Sequence, residues 1–176
     1  MATRVTVQTA GFDLAAEVRA LHAQDHGVGA VASFVGTVRD RNAPLEPGSN
    51  GRSNGRSKGG VSLMELEHYP GMTESAIEAM IDAAHCRFDI RAARVIHRVG
   101  VLLPGEQIVL VAVASAHRGM AFQACEFLMD YLKTQAPFWK KETTPAGAHW
   151  VDARVADDTA LARWGLTANN VAGKAA

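Results

Sequence analysis

The run QIVLVAVASA, Gln107 to Ala116, carries no charge and is strongly apolar. Such a run reads as a central strand, flanked on both edges and shielded from water. It leads through His117-Arg118-Gly119 into a helical pattern from Met120 to about Gln135, which Pro137 stops. The remaining elements must be arranged around this strand and helix.

Val5 and Val7 alternate in a strand from Arg4 to Gln8. Asp13 is placed to cap a helix running to Ala23, with Leu14, Val18 and Leu21 at helical spacing. VGAVASFVGTV, Val28 to Val38, reads as a long strand, and VSLMELEHY, Val61 to Tyr69, resumes the same texture. Those two are expected to pair as a hairpin with a lengthened connection. Pro70-Gly71 is a turn signal, and Thr73 is expected to cap a helix to about Arg87 with Ile77, Met80, Ile81 and Ala84 inward. Arg94 to Gly100 and Phe138 to Thr144 read as strands, VLLPGE as a turn, and His149 to Arg154 as extended. The fold class is α+β with mixed connections. Residues 1–155 form one expected domain, and 156–176, small and polar, a partly frayed tail.

Between the second and third strands, PGSNGRSNGRSKGG (Pro47 to Gly60) holds five glycines, three serines and two asparagines. It has no apolar anchor and is expected to be a mobile surface loop. The 176 residues include 18 Lys+Arg and 18 Asp+Glu, which disfavours a broadly basic nucleic-acid binder but not a local cationic site. Cys86 and Cys125 are far apart, sit in helical patterns and read as free, buried thiols, consistent with a reducing cytoplasm. MATRVTVQTAGFDL lacks an apolar signal core, and no run reaches membrane-spanning length.

Three groups of residues bear on chemistry. On the helix after Gly119, Ala121, Cys125, Leu128 and Leu132 form the core stripe, and Phe122, Glu126, Met129 and Lys133 an adjacent one. Lys133 either snorkels over apolar surface or lines a pocket for something negative. On the following strand, Phe138, Lys140 and Glu142 share one face, and Trp139, Lys141 and Thr143 the other. Only one of the paired lysines can therefore join Lys133, and Glu142 is placed to orient Lys140. SAHRG, Ser115 to Gly119, puts His117 and Arg118 at a helix start whose unpaired N–H groups favour an anion. In FVGTVRD, Arg39 comes where the strand gives out; His97-Arg98, inside a strand, reads as structural. The chain shows no zinc-ligand spacing, no GxGxxG or Walker loop and no GxSxG elbow.

FVGTVRDRN, LEHYPGM, HRVGVLLPGE, SAHRGMAF, MDYLKTQAPFWKKE and HWVDAR occur in this order from Val28 to Arg154. Together they resemble the large, catalytic subunit of molybdopterin synthase. The resemblance implies an α/β hammerhead fold, with a mixed or antiparallel sheet and flanking helices, and a dimer of large subunits. It also implies a small ubiquitin-like carrier on each, giving a heterotetramer. The carrier's C-terminal Gly-Gly thiocarboxylate would deliver sulfur to cyclic pyranopterin monophosphate, forming the molybdopterin dithiolene. The matching functional positions are Phe34, Arg39, His117, Arg118, Met129, Lys133, Lys140, Glu142 and Arg154. Lys133 and Lys140 would be catalytic, with Lys133, beside apolar Met129, serving the leaving oxygen. Arg39, His117 and Arg118 would hold phosphate and pterin. The sulfur nucleophile would arrive on the partner, so no cysteine of this chain is needed, and no resident cofactor or metal is implied. Two anions meeting at about 4 Å repel by about 4 kcal/mol at an effective dielectric near 20, which fixed cations offset. The rivals are a non-catalytic binding module for a ubiquitin-like tail or small anion, and a phosphoester hydrolase using His117.

Overall fold

The structure is a computed structural model describing residues 3–40, 60–145, 147–151 and 155–166. Its elements run β1 (Val5–Gln8), α1 (Leu14–His22), β2 (Ala30–Thr37), β3 (Leu63–His68), α2 (Met72–Arg87), β4 (Ala92–Arg98), β5 (Gly100–Leu102), β6 (Gln107–Ser115), α3 (Arg118–Gln135), β7 (Phe138–Thr144), β8 (Gly147–Val151) and α4 (Val155–Ala162). They build an α+β fold with two four-stranded sheets, ordered β1-β4-β6-β2 and β5-β3-β7-β8. The first is mixed, since β1 runs parallel to β4. The second is antiparallel throughout.

β6 is central, and its apolar run is explained by cover on both faces. Val109, Val111 and Val113 face the main core with Ile77, Ile81, Phe127 and Leu128 of α2 and α3. Leu110 and Ala112 face Leu14 and Leu21 of α1 on the other side. Period-2 alternation of direction with apolar residues at every position is what two covered faces require. Asp13 caps α1 as expected, its side chain accepting from the N–H groups of Ala15 and Ala16.

The expected β2–β3 hairpin does not form. β2 pairs with β6 in the first sheet, and β3 with β5 and β7 in the second. Adjacent strands with alike texture carry no information about which sheet they join. The glycine-rich segment between them lies, except for Gly60, outside the described residues. The turn expected at VLLPGE is likewise shortened. The chain leaves β4 in the first sheet and enters β5 in the second at Gly100, whose φ of 81° is costly for any residue with a Cβ.

α2 begins one residue before the expected cap. Gly71 occupies that position, and Thr73 lies inside the first turn, where its buried hydroxyl accepts from Tyr69 N–H and donates to Pro137 O. Ile77, Met80, Ile81 and Ala84 do face inward. The described part of the C-terminal region, to 166, is not a frayed tail. Leu161 is fully buried, and Trp164 packs edge-on against Phe88 and Phe127, with ring centroids 5.9 and 5.6 Å away. Composition hid this, because two large apolar side chains anchor a stretch of small ones. Among the described residues no helix is long and apolar enough to cross a membrane.

Candidate functional site

β2 is an edge strand of the first sheet, and α3 packs along it. Between them lies an open groove of about 360 Å³. Ala32, Ser33 and Phe34 of β2 form one wall; Phe122, Cys125, Glu126, Met129, Asp130 and Lys133 of α3 form the other. The helix stripe Phe122–Glu126–Met129–Lys133 is thus the groove wall, while Ala121, Cys125, Leu128 and Leu132 are buried in the core. Lys133 is exposed, so any stripping of water from its ammonium must come from whatever fills the groove.

Phe34 is 41% exposed, unusual for a strand phenylalanine. A Cβ on Gly36 would approach its ring to 3.3 Å and Val109 Cγ1 to 2.8 Å. Glycine at this position lets the Phe34 ring lie along the strand. Cys125 is a groove residue but not a nucleophile. Burial, and after it the Glu126 carboxylate, pushes its thiol up to about 11, and Sγ donates weakly to Val111 O at 3.8 Å.

The alternation expected on β7 is present. Lys140 Nζ lies 2.8 Å from Glu142 Oε1, and Glu142 is almost fully buried. Lys141 points the other way, 5.6 Å from the Trp150 ring. Lys140 pairs across the ladder with Leu66, which packs on Val38, the residue before exposed Arg39. Neither Lys140 nor Arg39 lines the groove itself. Both belong to its end of the molecule, because β2 reaches Thr37 opposite Gln107, the start of β6, and α3 runs back toward that end.

His117 and Arg118 lie elsewhere. They are exposed at the start of α3, where His117 N–H donates to Ser115 Oγ and the first turn contains no acidic residue. At 1.5 Å per residue, Arg118 and Lys133 of one chain are about 22 Å apart along the axis. One protomer therefore groups Arg39, Lys133, Lys140 and Glu142 toward one end, and His117 and Arg118 at the other. Arg154 lies outside the described residues. His97 is structural, as expected: it is partly buried and stacks on Phe138 at 3.8 Å.

Sequence reasoning missed one part of the site. Arg163, just past α4, places Nη2 2.6 Å from Asp130 Oδ2 and 2.7 Å from Glu126 Oε1, gripping both groove carboxylates. Trp164 Nε1 donates to the same Asp130 oxygen at 2.8 Å. The available signal was an Arg-Trp pair in an otherwise small-residue stretch.

Residues 7–135 match the family described as MoaE protein. The chain belongs to the MoaE family. A curated MoaE-family relative, the molybdopterin synthase catalytic subunit of Ralstonia nicotianae, is 60% identical over 94% of this chain and 86% of its own. The Pseudomonas aeruginosa protein of the same name is 51% identical, over 91% and 97%. Among solved structures, the molybdopterin biosynthesis MoaE protein from Burkholderia ambifaria superposes with a TM-score of 0.74 at 54% identity, over 94% of this chain and 99% of that one. A Helicobacter pylori complex of subunits 1 and 2 of molybdopterin-converting factor shares the fold, with a TM-score of 0.63 at 17% identity over 85% and 91%. Lys140, Glu142 and Arg163 follow the span matched by the family, but all within the described residues.

Proposed function

We propose that this chain is a catalytic subunit of molybdopterin synthase. It transfers sulfur from the thiocarboxylated C-terminus of a small ubiquitin-like carrier to cyclic pyranopterin monophosphate, giving the molybdopterin dithiolene. The observation that carries this is the 60% identity, across nearly the whole chain, to a relative bearing that name. The groove supports it chemically. It is open and mostly apolar and carries the Lys133 ammonium in its lining, which suits a flexible glycine tail with a terminal anion. The carrier supplies the nucleophile, so the protonated Cys125 thiol has no part in it.

Lys133 is the residue we assign to proton transfer at the substrate oxygen, with Phe34 and Met129 beside it in the groove. Lys140, aimed by Glu142, stabilises charge beside it, and Arg39 holds substrate at the same end. His117, Arg118 and Arg154 are phosphate and pterin contacts in this proposal. Because His117 and Arg118 sit at the far end of α3, they reach a substrate at Lys133 most simply from a second protomer. The working unit is then a dimer with two carriers. The setting is the cytoplasm, which the free thiol of Cys86, exposed rather than buried as expected, favours.

Incubating the chain with thiocarboxylated carrier and the pterin precursor, then assaying dithiolene, tests the assignment. Carrier binding without a change in the pterin would favour a binding module instead. Phosphate release from simple phosphoesters would favour a hydrolase.

The two adjacent lysines give a sharper check. Lys140→Ala leaves the buried Glu142 without its Nζ partner, so activity should fall at least about 100-fold and stability by about 1–3 kcal/mol. Lys141→Ala removes only a contact to an exposed Trp150 ring, worth about 0.5–1 kcal/mol, and should leave the rate within about threefold. Turnover and chemical denaturation of both variants decide it; equal losses of activity would contradict the assignment by strand face.

A further inference from the structure

The α3 wall of the groove carries two carboxylates, Glu126 and Asp130, as well as Lys133. Left unpaired, those carboxylates would disfavour an anionic visitor. Glu126 is 56% exposed at its side chain, so its charge faces the solvent from which a tail would enter. Arg163 meets both carboxylates with the same Nη2, and its Nε adds a contact to Asp130 Oδ2 at 3.2 Å. The guanidinium is held in turn by its neighbourhood. It lies 5.0 Å from the Trp164 ring, whose Nε1 shares the Asp130 oxygen, and Trp164 is packed on Phe88 and Phe127. The C-terminal turn thus brings a fixed positive charge to the groove's outer rim.

We propose that Arg163 is a positioning residue for the carrier tail: by pairing with Glu126 and Asp130 it offsets one of their two negative charges, leaving Lys133 to balance the other, and so admits an anionic Gly-Gly terminus. This rests on the sulfur-carrier reading above. Without Arg163, the two carboxylates would repel the incoming terminus over distances within a Debye length, about 10 Å at 0.1 M salt. The effect falls on binding of the tail, not on the chemical step, and Arg163 touches no reacting atom.

The test measures affinity for a carrier ending in Gly-Gly and for the same carrier lacking those two residues. Arg163→Ala should weaken the first about tenfold at low salt, with the loss shrinking at high salt, and should leave the second unchanged. KM for the thiocarboxylated carrier should rise with kcat within about twofold. Arg163→Lys should stay close to the parent, and adding Glu126→Gln to Arg163→Ala should recover most of the affinity. Glu126→Lys in the parent, at a solvent-facing position that folding tolerates, should tighten tail binding several-fold. Unchanged affinity in Arg163→Ala, equal weakening of the truncated carrier, or no gain from Glu126→Lys would each overturn the proposal. If the parent binds both carriers alike, or makes no dithiolene, the sulfur-transfer reading itself falls, a result distinct from any of these.

Discussion

Lys133→Ala should lower sulfur transfer by at least about 100-fold while the carrier still associates. The side chain is exposed at the end of the groove, outside the core, so its removal should change stability by less than about 0.5 kcal/mol. The loss would therefore belong to the chemistry. Lys133→Arg separates two roles. It keeps the charge but cannot release a proton near neutral pH, because a guanidinium stays protonated far into the alkaline range. If Lys133 transfers a proton, the arginine variant should be nearly as inactive as the alanine one. If it only neutralises the incoming anion, arginine should restore much of the rate. Single-turnover measurement of dithiolene formation with pre-charged carrier reads the chemical step alone; normal turnover by Lys133→Ala would refute the assignment.

Acid should destabilise the protein well before its carboxylates titrate, and His97 is the cause. Its ring is partly buried, stacks on Phe138 and donates Nδ1–H to Arg98 O at 2.9 Å. Burial above all, offset in part by that carbonyl and reinforced by nearby His68, brings its pKa from 6.5 down to about 4. The folded state binds this proton less readily than the unfolded chain. Stability is therefore complete above pH 6.5 and declines as pH falls from there to about 4, for a total of about 3 kcal/mol. Asp25, whose carboxyl Arg91 holds below its ordinary value of 3.8, loses its contribution only at lower pH. Urea midpoints between pH 7.5 and 4.5 would show the slope. His97→Phe, which keeps the stack and removes the titration, should flatten it; an unchanged slope would clear His97. Phe138 opens β7, the strand of Lys140 and Glu142, so activity should decline over the same window.

Much of this was legible from residue order. The uncharged run at 107–116 demanded a covered strand, and β6 is covered on both faces. The odd stripe Phe122–Glu126–Met129–Lys133 is the groove wall because helical spacing alone assigns residues to a flank. Strand alternation placed Lys140 with Glu142 and Lys141 apart from them. Sheet membership was not legible. β2 and β3 look alike, and only the kink at Gly100 and the pairing of β7 with β3 put them in different sheets. Nor was the distance between cation groups legible, since SAHRG and Lys133 are near in sequence but occupy opposite ends of one helix. The Arg163 clamp depends on the docking of α4 against α3, which local pattern does not encode.

The length of α3 has a genetic consequence. If each reaction centre takes Lys133 from one chain and Arg118 from its neighbour, every helix serves two centres at once. A Lys133→Ala chain and an Arg118→Ala chain, each inactive in its own dimer, would form mixed dimers with one intact centre and one doubly defective. Random pairing of equal amounts would return about a quarter of the parental activity from two dead proteins.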